Sequence, residues 1–168
     1  AEQKKHLLLK SIAPLGSVGT FSYDNFGNPL TSQVQNADAN PSYFIRGETM
    51  YTDDGNYVTE QKDARGKVVR TEIDPQRGTT TSVTDAKGQT VTYDYDNLRR
   101  IVKTSANVGA KAGIPTVHNE YTYDAKRGNL VEIRHNTDGD AANDVVYSFE
   151  QDALGRQTAV KVGNQTLS

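Results

Sequence analysis

The side chains in this 168-residue chain best equipped for chemistry are carboxylates. In "TYDYDN", Asp94 and Asp96 flank Tyr95. Two carboxylates two residues apart on an extended segment share a face, and such a pair can divide the roles of acid and base. In "DGDAAND", Asp138, Asp140, Asn143 and Asp144 supply hard oxygen ligands of the kind that hold Ca²⁺. That loop does not keep the EF-hand register and has no glutamate at its twelfth position. His6, His118 and His135 fall in no metal-ligand spacing and read as surface or strand-edge residues. There is no G-x-S-x-G elbow, and "GAKAG" lacks the G-K-[ST] ending of a phosphate loop. With no cysteine, disulfides, thiolate nucleophiles and cysteine-ligated zinc are removed together. A turn explains Asp96 without catalysis, and a solvated hairpin loop explains the acidic cluster without metal. No catalytic residue, metal site or cofactor is expected, with Ca²⁺ at the 138–144 loop as the one alternative.

Binding is the second class of chemistry. Tyr23, Tyr93, Tyr95, Tyr121, Tyr123, Tyr147 and Phe149 sit in alternating segments and would line one sheet face. Such a row can stack on sugars, or it can pack across strands with its hydroxyls reaching solvent or backbone. The short basic spots "NLRR" and "IRH" read as solvated.

What would position these side chains is a set of regularly spaced turns. An aspartate precedes a short loop at Asp24, Asp63, Asp74, Asp85, Asp96, Asp124 and Asp152. Positions 63, 74, 85 and 96 are 11 apart, and 96, 124 and 152 are 28 apart. In D-x-x-G the carboxylate accepts from backbone N–H groups just ahead, and the glycine takes the left-handed conformation that closes a hairpin. Asp24/Gly27, Asp63/Gly66, Asp85/Gly88 and Asp152/Gly155 fit directly, whereas Asp74/Gly78 and Asp124/Gly128 carry one extra residue. After Asp96 an arginine, Arg99, stands where glycine belongs, which predicts strain or a different turn. Between turns the pattern has period two, as in "TVTYDYD" and "VVYSFEQD", and no segment has a helical period. The expected fold is all-β, an extended twisted antiparallel meander of hairpins. Residues 1–19 read as a lead-in and 20–168 as the repeat sheet. "ANVGAKAGIP" (106–115) and "NTDGDAAND" (136–144) read as inserted loops.

Composition agrees. Val, Thr and Tyr make up a quarter of the chain, and mean hydropathy is −0.71, so any core is thin. A net charge of −2 gives no electrostatic case for nucleic acid, and no apolar stretch approaches the roughly 20 residues that span a bilayer. The chain starts with Ala and stops at "GNQTLS", which suggests a piece of a longer polypeptide.

Y-D-x-x-G-R/N-L, alternating with T-D-x-x-G, resembles the YD or RHS repeat of bacterial polymorphic toxins, wall-associated proteins, insect toxin complexes and teneurins. The signature is carried by Tyr23-Asp24, Tyr95-Asp96 and Tyr123-Asp124, with looser copies at Lys62-Asp63, Thr84-Asp85 and Gln151-Asp152. The resemblance covers roughly residues 20 to 162. It implies a section of a β-spiral shell, secreted, at the cell surface or in the wall, that encloses a C-terminal effector domain or serves adhesion. The D-P-x-G-x-x-D-P type of self-cleavage sequence is missing, so neither self-cleavage nor toxicity is expected of this segment. Its implied partners are flanking repeats of the same chain and the enclosed effector. Unpaired terminal strands would allow a homodimer through edge strands. A surface carbohydrate-binding or adhesion module using the tyrosine face is the alternative.

Overall fold

The computed structural model describes residues 6–36, 44–107, 116–136, 138, 140–163 and 165–167. They fall into two units, Ala1–Ile73 and Asp74–Ser168. In the first, β1 (Lys10–Ile12), β2 (Val18–Tyr23), β3 (Pro29–Gln35), β4 (Phe44–Tyr51), β5 (Val58–Lys62) and β6 (Val68–Asp74) follow one another. The second holds β7 (Thr79–Thr84), β8 (Thr90–Tyr95), β9 (Ile101–Asn107), β10 (Val117–Tyr123), β11 (Leu130–Asn136), β12 (Val145–Gln151), β13 (Gln157–Val162) and β14 (Gln165–Thr166). Within each unit every strand pairs antiparallel with its sequence neighbours, so each is an up-and-down meander of the kind expected.

The two-residue period becomes two unlike faces. In the second unit Tyr121 lies opposite Ile133, Ile133 opposite Tyr147, and Tyr147 opposite Val162, an apolar row across four strands. One residue away, Asp94, Lys103, Glu120 and Arg134 form a row of alternating charge on the other face. Opposite charges directly across an antiparallel pair help hold register. The first unit repeats the division, with Gly19, Val34 and Ile45 in one row and Ser22, Thr31, Glu48 and Lys62 in another.

Both units are one layer thick. Among the described residues no hydrophobic side chain is fully buried, and only Ser82 (8% exposed) and Asn136 (3%) count as buried polar residues. Apolar rows are covered by their lateral neighbours and not by a second layer, so stability comes from cross-strand pairs and from the turns.

Two features differ from the sequence expectation. β1 and the start of β2 lie within the stretch 1–19 that reads as a lead-in, and a turn joins them. There Ala13 N donates to Ser17 O (2.8 Å), and Gly16 sits at φ +84°. No helix is expected, yet Ala141–Asn143 form a single 3-10 turn, started by Asp140, whose carboxylate accepts from Ala142 N. Of the loop at 106–115, residues 108–115 lie outside the described residues.

Candidate functional site: a row of interlocked turns

Each short turn is organised by one carboxylate. Asp24 Oδ1 accepts from Phe26 N and Asn28 N, both at 2.8 Å. Asp63, Asp85, Asp96 and Asp152 repeat the pattern on the residues two and four ahead, at 2.8–3.0 Å. The aspartate carbonyl then accepts from the N–H three residues on, and Gly27, Gly66, Gly88 and Gly155 have φ between +76° and +95°. The extra residue at Asp74 and Asp124 moves this acceptance one position on, to Gly78 N (2.7 Å) and Gly128 N (2.9 Å), which gives one helical-type turn closed by a left-handed glycine. The turn at Asp96 has the same form as those at Asp63 and Asp85. Arg99 takes the glycine conformation itself at φ +63°, so of the two expectations for it, strain is what the structure holds.

These bonds favour the charged carboxylate. Asp96 is held below the usual carboxyl range by the backbone N–H of Arg100, aided by the Arg100 side chain and the Leu98 N–H. Asp152 is lowered in the same way by Arg156, and Asp124 by the N–H groups of Lys126 and Arg127.

The hairpins divide into two kinds. Where Tyr23, Tyr51, Tyr95, Tyr123 or Gln151 precedes the turn, the strand register shifts by one residue at that position. Where Lys62 or Thr84 precedes it, the register runs unbroken to the turn, Lys62 opposite Val68 and Thr84 opposite Thr90. A meander places successive turns on alternate sides, so within each unit the two kinds occupy opposite sides of the sheet.

The shift lets the side chain reach across to the preceding strand. Tyr95 Oη donates to Thr80 O (2.8 Å), and Tyr123 Oη donates to Ile101 O (2.8 Å). Tyr23 Oη reaches Leu8 O (2.9 Å), ahead of β1. Gln151, which replaces tyrosine, donates Nε2 to Leu130 O (3.0 Å) and so performs the same task with an amide. Burial lifts the Tyr95 and Tyr123 hydroxyls above their usual range and keeps them protonated donors.

Adjacent turns of the tyrosine side are also tied together. Asn28 Nδ2 donates to Asp24 Oδ2 (3.0 Å) and to Gly55 O of the next such turn (2.7 Å). Arg100 does likewise in the second unit. Its Nε donates to Asp96 Oδ2 (2.7 Å), its Nη1 to Gly128 O (3.2 Å), and its guanidinium lies 4.3 Å from the centre of the Tyr123 ring. Arg127 Nη1 reaches Asp152 O (2.9 Å), and Asn129 Nδ2 reaches Gln151 Oε1 (2.6 Å).

Arg100 is therefore not the solvated residue that "NLRR" suggests, and Arg134 of "IRH" is ion-paired with Glu132 (3.3 Å) and Asp144 (3.5 Å). Two turns of the series begin without aspartate, at Ala13 and at Thr52, where Gly55 stands at φ +73°. Spacing could have found them, since Ala13 lies 11 before Asp24 and Thr52 lies 28 after it.

The remaining sequence candidates do not converge. Asp94 lies opposite Lys103, while Asp96 is engaged inside its turn beyond the register shift, as the turn reading expects. In the acidic loop Asp138 accepts from Asp140 N and Asn143 Nδ2, Asp140 from Ala142 N, and Asp144 from Asn136 Nδ2. Among the described residues no three His, Cys, Asp or Glu side chains are placed to share a metal ion. His118 Nε2 stands 3.9 Å from Glu120, and His135 Nδ1 meets Asn119 Oδ1. Tyr93 lies opposite Thr104, and Phe149 opposite Val160. No helix among the described residues is long and apolar enough to cross a membrane.

Residues 76–110 match the RHS Repeat family. No curated protein matches the chain. Among solved structures the chain is similar to part of the crystal structure of TcdB2-TccC3-Cdc42, at 18% identity and a TM-score of 0.50, over 92% of this chain and 10% of that one. It also aligns with a chain of the Photorhabdus luminescens Tc holotoxin pore, at 14% identity and a TM-score of 0.31, over 95% of this chain and 11% of that one. Only the first of these scores bears on fold. The chain spans about a tenth of the length of the chains it resembles.

Proposed function

We propose that this chain, which carries an RHS repeat at residues 76–110, is a wall segment of a shell that encloses a C-terminal toxin or effector domain of the same polypeptide. The observation that carries the reading is the pairing of interlocked turns with a one-layer sheet that has no fully buried hydrophobic side chain among its described residues. Such a sheet gains its order from neighbours in its own plane, as a repeat array does, and continues wherever more repeats follow. One face is aromatic and aliphatic and the other carries alternating charge, which suits a partition with cargo on one side and water on the other. The segment is assigned scaffolding and no reaction of its own. Its partners are flanking repeats and the enclosed domain, and its setting is outside the cytoplasm, secreted or at the cell surface. Three tyrosine hydroxyls already given to backbone carbonyls are poorly placed to meet a sugar, which favours the wall over a carbohydrate-binding surface.

Protease treatment of the natural polypeptide that contains this chain tests the reading. The domain beyond the repeats should survive intact, and should become cleavable once the wall is loosened by Gly55→Val together with Tyr123→Phe. A downstream domain cut equally fast in both proteins would overturn it.

A further inference from the structure

The sheet of the first unit contains a step. β4 pairs with β3 as far as Phe44, opposite Gln35, but its register with β5 ends earlier, at Glu48 opposite Lys62. There the chain leaves β5 for the Asp63 turn, so residues 44–47 of β4 run on beyond that neighbour. In the step lies a cleft of about 310 Å³, lined by Phe44, Arg46, Glu48, Lys62 and the Asp63 turn. Cavities that hold small ligands begin at about this size, roughly 300 Å³.

The lining combines an apolar wall with unspent donors. Phe44, Arg46 and Glu48 alternate along β4 and so share a face, and Lys62 joins them from β5. Phe44 is 48% exposed. Glu48 holds both cations, Oε1 accepting from Arg46 Nε (3.0 Å) and Oε2 from Lys62 Nζ (3.4 Å). Both of its oxygens are then engaged. The two terminal nitrogens of Arg46 and the other N–H groups of Lys62 have no partner among the described residues. The Asp63 carboxylate serves its own turn, where Oδ1 accepts from Arg65 N and Lys67 N. Arg46, Lys62, Arg65 and Lys67 thus stand against only Glu48 and Asp63, in a chain whose net charge is −2.

We propose that this cleft binds a carboxylate attached to an apolar body, the pairing that an acidic peptide residue beside an aromatic or aliphatic one presents. The terminal nitrogens of Arg46 form a fork that donates to both oxygens of the incoming carboxylate, and Lys62 donates a further bond. The apolar body lies against Phe44 and Ala64. Glu48 holds the two cations in place before the ligand arrives, which lowers the cost of ordering them on binding. One negative charge matches the one left over when Arg46 and Lys62 share Glu48, whereas a dianion would also meet the repulsion of Glu48 and Asp63. The site goes beyond the wall reading and does not depend on it.

Backbone amide NMR of the full chain, titrated with phenylacetate, acetate, phenylacetamide and phenyl phosphate, tests the proposal. Phenylacetate should give saturable shifts at residues 44–48 and 62–66 and leave strands β8–β12 unmoved. Acetate lacks the apolar body, phenylacetamide lacks the charge and phenyl phosphate carries a second one, so each should bind more weakly. Arg46→Gln should weaken phenylacetate by about tenfold, the loss of one charge-assisted fork. Arg70→Gln, whose arginine pairs with Glu60 outside the cleft (2.9 Å), should leave the affinity unchanged. Unmoved β8–β12 amides in both variants verify that the chain is still folded. Absence of saturable shifts, an affinity unaltered by Arg46→Gln, or any of the other three probes binding as tightly as phenylacetate overturns the proposal.

Discussion

The two sides of each meander use the same turn for different ends. On the side of Asp63 and Asp85, a methyl group added to Gly66 or Gly88 would meet nothing within 4 Å. On the tyrosine side the equivalent methyl would collide with the Phe26 ring at Gly55, and would lie 3.0 Å from Arg100 Nη1 at Gly128 and 3.0 Å from Asn129 Nδ2 at Gly155. The aspartate bonds and the left-handed glycine are common to both sides, so they reverse the chain and no more. The difference lies in the residue before the aspartate. Lys62 and Thr84 keep the register and leave their turns isolated, while tyrosine or Gln151 shifts it and brings each turn against the next.

The comparison breaks most sharply at glycine. Gly55→Ala combines a left-handed side chain, about 1–2 kcal/mol, with overpacking against Phe26, about 1–3 kcal/mol, for an expected loss near ~3 kcal/mol in urea unfolding. Gly66→Ala bears only the first cost, about 1–2 kcal/mol. Equal losses at the two positions would erase the distinction between the sides.

Tyrosine sharpens it. Tyr123→Phe strands the Ile101 carbonyl and should cost about 1 kcal/mol, whereas Tyr121→Phe, two residues earlier, should leave the urea midpoint nearly unchanged. Arg99→Gly should act in the opposite direction. Relief of the left-handed side chain, about 1–2 kcal/mol, exceeds the extra backbone entropy of glycine, about 0.5–1 kcal/mol, so a small gain in thermal stability is expected.

The mildest effect per residue belongs to acid. Asp96, Asp124 and Asp152 have carboxyl pKa values lowered in the folded chain. Their contribution is whole above the unfolded carboxyl value of about 3.9 and fades as pH falls through the lower folded values. The urea midpoint should hold steady from neutral pH down to about pH 5 and decline below about pH 4. Asp152→Asn should flatten that decline, and an unaltered acid profile in this variant would show that its turn does not depend on charge.

Chain reversal was legible from residues alone because its determinants are local. Asp24 and Gly27 lie in one tetrapeptide, and the intervals of 11 and 28 repeat them along the chain. The turns at Ala13 and Thr52 escaped because their first residue is not acidic, although they obey the same intervals. Lateral ties were harder to see. Arg100 meets Gly128, 28 positions away, and the partner atom is a backbone carbonyl, which leaves no mark on residue type. Nor does alternation reveal the register shift between Asp94 and Tyr95, which is a property of the pairing with β9.

A sheet whose described residues bury no hydrophobic side chain also sets a parity rule for how such a chain can grow. Gaining or losing two strands opens no interior and returns every later turn to its own side. Gaining or losing one sends each downstream tyrosine to the opposite margin, where no glycine carbonyl waits for the residue behind it. Length in this architecture is free in steps of two, and a single-strand frameshift is the change it cannot absorb.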